Sequence, residues 1–122
     1  MRLALISDLH SNLEALTAVF ADIEGQGIDH IGCLGDVVGY GPDPAACVDL
    51  VRKKTDFCLL GNHDEALLVG ARDFNPHARQ AVDWTRECLK PSWYHGAARK
   101  DRWTWLTQLE PQHSLDGFYF YH

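Results

Sequence analysis

The sequence predicts an α/β fold assembled from parallel β-α-β units. Short apolar runs of four to six residues alternate with longer segments whose apolar positions recur at helical spacing, and glycine or polar turns mark each change. Runs that short suit buried strands better than helices. Strands that alternate with helices are joined by right-handed crossovers, which make neighbouring strands parallel.

Arg2 to Ser7 (RLALIS) is the first predicted strand. Asn12 can cap the helix that follows, whose stripe is Leu13, Leu16, Val19, Phe20 and Ile23, and Gly25 and Gly27 end it. His30 to Leu34 (HIGCL) reads as a second strand, leading into the turn GDVVGYGPDP. With Asp43 as cap, a helix is expected from about Pro44 to Val51. Phe57 to Leu60 (FCLL) is the third strand, and a helix is expected to start near Glu65. Asn75 at the cap and Pro76 at the first position open another helix, which Pro91 stops. Arg102 to Leu109 is expected to be a short helix and Phe118 to Tyr121 a last strand.

The chain of 122 residues suits one domain, 1–122, with one core. Its net charge of −6 argues against an electrostatic grip on nucleic acid or anionic lipid. No apolar run approaches the ~20 residues that span a bilayer, and Asp8 interrupts the N-terminal apolar stretch, so neither a membrane segment nor a secretion signal is expected. Cys33, Cys47, Cys58 and Cys88 form no CxxC pair and read as reduced packing cysteines of a cytoplasmic protein.

The first three strands end in polar motifs: Asp8-Leu9-His10, Gly35-Asp36 and Gly61-Asn62-His63-Asp64. Parallel strands deliver their carboxyl ends to one edge of a sheet, so these side chains are expected to converge. The mixture of oxygen and imidazole ligands suits Mn, Fe or Zn at a hydrolytic centre better than a structural zinc. Two metals sharing one carboxylate would find their bridge in Asp36, which stands alone at the end of the middle strand. Gly35 and Gly61 would let the backbone pass close by. Taken singly, each motif also reads as a capped helix start or a glycine turn; the three in order do not.

The motifs D-x-H, G-D-x-x-G and G-N-H-D/E, present as Asp8 to His10, Gly35 to Gly39 and Gly61 to Asp64, resemble those of the calcineurin-like metallophosphoesterases. Tyr40-Gly41-Pro42 and Phe74-Asn75-Pro76 are similar to a branch of small YfcE-type phosphoesterases. The resemblance implies the N-terminal half of a four-layer α/β/β/α sandwich. It implies two divalent ions, Mn first, with Fe, Zn, Ni or Mg as alternatives. Asp8 and His10 would bind the first, Asp36 would bridge, and Asn62 would bind the second. His63 would stand beside the phosphate as a catalytic group with Asp64 orienting it, and Asn62 and His63 would contact substrate. His122 fits a later family histidine that ligates metal, but the family's G-H-x-H motif is absent. An N-terminal fragment of a longer parent is therefore the expectation.

The implied activity is hydrolysis of phosphate mono- or diesters by metal-bound hydroxide, with a phosphate ester as partner and a homo-oligomer compatible with the sequence. The alternative is a non-catalytic remnant that folds or pairs without a complete metal site. A nucleic-acid module has only the tryptophan- and arginine-rich stretch from Trp84 to Trp105 behind it, and the net charge opposes it. His30, His77, His95 and His113 match no motif and are expected on the surface or in packing, and Tyr40 is expected to pack its turn.

Overall fold

A computed structural model describes residues 1–122. Three parallel strands, β1 (Leu3–Ile6), β2 (His30–Cys33) and β3 (Phe57–Cys58), form a sheet in that order, with Leu3 opposite His30 and Gly32 opposite Phe57. Because the order runs in one direction, right-handed crossovers place α1 (Leu13–Glu24) and α2 (Pro44–Lys54) on the same face, where they touch. Next come α3 (Asn62–Val69), α4 (Pro76–Leu89) and α5 (Ala97–Thr107). An antiparallel hairpin, β4 (Gln112–Leu115) and β5 (Phe118–Tyr121), completes the chain.

Capping chemistry sets several boundaries as the sequence implies. The side chain of Asn12 accepts the Ala15 N–H at 3.0 Å, and that of Asn75 accepts the Ala78 N–H at 2.9 Å. Asp43 caps α2 by position only, its side chain making no capping bond. Arginines close other ends: Arg86 donates to the carbonyls of Leu67 and Ala66 at the end of α3, and Arg99 does so to Glu87 and Lys90 at the end of α4. Arg102 pairs with Asp49 at 2.8 Å, tying α5 to α2.

The main core joins Ile6 and Cys33 from the sheet to Leu16, Phe20, Val48, Val51, Leu67, Leu89 and Leu106 from the helices. Cys33 and Cys47 are fully buried within it and all four cysteines are free thiols. No helix is long and apolar enough to cross a membrane.

Four expectations need correction. Helix α3 starts at Asn62 instead of Glu65, because Asp64 in its first turn reaches back to the Gly61 N–H, so the polar motif is itself helical. Helix α5 starts five residues earlier than Arg102, at Ala97. Strand β3 is only Phe57–Cys58; beyond it Leu59 makes an isolated parallel bridge to Glu110. Strand β4 escaped the apolar pattern because its residues, Gln112 to Leu115, are mostly polar and exposed. Its pairing follows from the two-residue turn Asp116-Gly117, with φ of 48° and 83°. Both values are positive, as a type I′ hairpin turn requires.

Candidate metal centre

The carboxyl ends of the parallel strands lead into the loops that carry Asp8, His10, Asp36, Asn62 and His63, and β5 delivers His122 to the same edge. The two loops after β1 and β2 are unusual in backbone. Asp8, His10, Ser11, Asp36 and Tyr40 all have φ between 46° and 57°, the left-handed region that non-glycine residues avoid. Hydrogen bonds between the loops hold them there: Asp8 N–H to Gly35 O at 3.0 Å, His10 N–H to Asp36 O at 2.9 Å, and Ser11 N–H to Val37 O at 2.9 Å.

Asp36 lies at the centre, almost fully buried. Its Oδ1 accepts the backbone N–H of His63 at 2.9 Å, which fixes the carboxylate plane. Its Oδ2 is then left facing His10 Nε2 at 3.8 Å and His122 Nε2 at 3.5 Å. Each of those imidazoles has its other nitrogen against a carbonyl: His10 Nδ1 lies 3.1 Å from Val38 O, and His122 Nδ1 lies 2.7 Å from Leu34 O. The carbonyls assign the proton to Nδ1, so each Nε2 presents a lone pair inward. His122 Nε2 also sits 3.0 Å from Asn62 Oδ1. Lone pairs on nitrogen, amide oxygen and carboxylate oxygen therefore point at one another, an arrangement that a cation between them satisfies.

Asp8 completes the edge more loosely. Its side chain is 60% exposed, with Oδ1 3.7 Å from His10 Nε2 and Oδ2 accepting the Ser7 hydroxyl at 2.5 Å. His63 lies closer in than the sequence suggested. One ligand-capable atom each from His10, Asp36 and His63 fall within 4.8 Å of one another, so this ring stands within reach of a metal. Its Nδ1 is buried without a hydrogen-bond partner. The ring touches His10, Tyr40 and Phe74, at centroid distances of 4.7, 4.9 and 4.9 Å. Burial holds the imidazole below the ordinary histidine range, with the Asp36 carboxylate pulling the other way.

Asp64 does not orient that ring. It is fully buried and commits both oxygens to three backbone amides: Asp36 N–H at 2.9 Å and Gly61 N–H at 3.0 Å on Oδ2, and Val38 N–H at 3.1 Å on Oδ1. The carboxylate thus joins the loop after β2 to the start of α3. Burial pushes its carboxyl up to about 6, against the pull of the amides. Tyr40, expected to pack its turn, is instead 57% exposed, with its ring centroid 5.1 Å from that of His10. The glycines bring the loops into contact. A Cβ on Gly61 would lie 2.2 Å from both the Asp36 nitrogen and its Oδ1, and one on Gly35 would lie 2.6 Å from the Gly61 nitrogen.

The family model for calcineurin-like phosphoesterases matches residues 1–120. The chain belongs to that family. Among solved structures, a metallophosphoesterase from Sphaerobacter thermophilus superposes with a TM-score of 0.71 at 38% identity, over 94% of this chain and 44% of that one. A second, described as a candidate diadenosine tetraphosphatase, gives a TM-score of 0.73 over 99% of this chain and 49% of that one; at 23% identity it speaks for the fold alone. An uncharacterized protein of Methanocaldococcus jannaschii is 47% identical over 91 residues, which is 72% of this chain and 37% of that protein. The chain thus spans less than half the length of these three proteins and matches the N-terminal half of the metallophosphoesterase fold.

Proposed function

We propose that this chain provides the larger part of a two-metal centre in a phosphoesterase acting on phosphate mono- or diesters. The observation that carries the reading is the Asp36 carboxylate, pinned through Oδ1 and turned through Oδ2 toward two imidazoles, those of His10 and His122. Asp8 and His10 would hold one ion, Asn62 and His122 the other, and Asp36 both. The donor set of oxygen and imidazole fits Mn, Fe or Zn, with Ni and Mg as further candidates. When bound, such ions polarise a phosphoryl oxygen and lower the pKa of water to near neutrality.

The chain's own groups do the rest. The carbonyls of Val38 and Leu34 hold the two imidazoles in the tautomer that leaves Nε2 free. His63, wedged among His10, Tyr40 and Phe74, is positioned to hydrogen-bond the substrate and meet charge developing on the leaving oxygen. Asn62 contributes its amide to the same region. Asp64 supports both by fixing the loops they stand on.

The test is hydrolysis of bis-p-nitrophenyl phosphate and p-nitrophenyl phosphate by the purified chain in Mn²⁺ and in EDTA, with metal content read on the same sample. Mn²⁺-dependent, EDTA-sensitive turnover is expected, and His63→Ala should lower it by ~10²–10⁴ with metal content kept. Metal-free, inactive protein would favour the remnant reading for this chain alone.

A further inference from the structure

One helix face beside the centre has no structural task. On α4 the buried positions are Ala78, Val82, Thr85 and Leu89, which pack inward. His77, Gln80, Ala81 and Trp84 fall at i, i+3, i+4 and i+7, a single stripe on another side of the helix. Together with Tyr40 they line a groove of about 330 Å³. Trp84 is 44% exposed and Tyr40 57% exposed, so two large rings flank an open cleft instead of filling a core. The groove adjoins the candidate centre through Tyr40, whose ring lines the groove and also contacts His10 and His63.

We infer that this groove is the leaving-group subsite of the phosphoesterase and that it takes a flat aromatic ring. The inference rests on the proposed activity for its phosphate end and on the groove for its other end. Two aromatic side chains offer stacking surfaces, which favour planar rings whatever their sequence of ring atoms. Gln80 and His77 add donors and acceptors at the edge, as recognition of a heterocyclic ring needs. No Lys or Arg lines the groove, so it offers nothing to a second phosphate, and no Asp or Glu repels the first. The volume lies at the small end for ligand pockets and suits one ring system. A nucleoside monoester and a simple aryl ester share the ring; Gln80 favours the nucleoside.

The test uses the ¹⁵N-labelled chain loaded with diamagnetic Zn²⁺ and titrated with adenosine 5′-monophosphate, ribose 5-phosphate, adenosine and phenyl phosphate. The Trp84 indole N–H is assigned by its loss in Trp84→Phe. Adenosine 5′-monophosphate is expected to shift that signal and to bind about tenfold more tightly than ribose 5-phosphate, within the roughly five- to hundredfold that one stacked base contributes. Trp84→Ala should cut the difference severalfold while ribose 5-phosphate binds as before. Gln80→Ala, at an exposed position, should weaken the nucleotide and leave phenyl phosphate unchanged; a nucleotide unaffected by it would overturn the nucleoside preference. Equal affinities for the nucleotide and the sugar phosphate, or an advantage undiminished by Trp84→Ala, would overturn the subsite. If ribose 5-phosphate fails to bind but adenosine still shifts Trp84, the groove stands and the phosphoesterase reading falls. A Trp84 shift that follows protein dilution and ignores every ligand would make the groove a contact between copies, and would overturn the inference.

Discussion

Replacing Asp64 by alanine sets two opposing effects against each other, and their sizes decide the outcome. The substitution leaves the amides of Asp36, Val38 and Gly61 without their acceptor in a fully buried place. At a little under 2 kcal/mol for each orphaned buried donor, three such groups cost about 5 kcal/mol. Against this, the carboxylate is itself penalised by burial: its pKa rises from 3.8 to about 6, and ~1.4 kcal/mol per unit makes that about 3 kcal/mol at neutral pH. The net expectation is a loss of about 2 kcal/mol at pH 7. A raised folded-state pKa means that between pH 3.8 and about 6 the unfolded chain has released a proton the folded chain keeps. Parental stability from this group therefore falls as pH rises through that window, and the alanine variant lacks the fall. The gap between parent and variant should be about 5 kcal/mol near pH 4 and shrink toward pH 7. Urea unfolding of the metal-free chain, in EDTA and followed by tryptophan fluorescence, measures both. A midpoint drop of about 1 M urea is expected at pH 7. A variant as stable as the parent at pH 7, or a gap that widens with pH, would refute the reasoning.

Other substitutions probe the centre itself. In Asp36→Asn the amide oxygen can keep the His63 N–H bond while its NH₂ turns toward the two imidazoles, so metal uptake and hydrolysis should vanish with stability nearly unchanged; metal analysis and urea unfolding check this. In Gly61→Ala the new methyl would collide with the Asp36 backbone at 2.2 Å, and soluble yield or metal affinity should fall sharply; an active, metal-replete variant would show the loops are looser than described. Cys47 has its thiol pushed from 9.0 up to about 11 by burial, so between those values only the unfolded chain ionises. Stability should fall as pH rises from 9 to 11, and Cys47→Ala should flatten that slope in unfolding measurements.

The parallel sheet was legible because RLALIS, HIGCL and FCLL are apolar runs followed by polar loops, and the crossover rules then leave little choice. The convergence of Asp8, His10, Asp36 and Asn62 followed from the same rule. What stayed hidden depended on particular three-dimensional partners. The true start of α3 needed the Asp64 carboxylate to satisfy the Gly61 amide, a bond that competes with reading Asp64 as a catalytic support. Strand β4 carries no apolar alternation, and only Asp116-Gly117 announced it. The Ala97 to Asp101 turn of α5 is mostly exposed and so shows no stripe. His63 gave no sign in the sequence that three rings would enclose it.

The left-handed residues carry a consequence for selection. At Asp8, His10, Asp36 and Tyr40 the backbone conformation is one that glycine adopts freely and an L-residue adopts at a cost of about 1 kcal/mol or more. Glycine at these positions would relax the loops and remove the side chains that converge on the centre. A library of this chain sorted only for resistance to heat would drift toward glycine there, and one sorted for metal uptake would not. Comparing the two enrichment profiles, position by position, separates what the fold prefers from what the site demands.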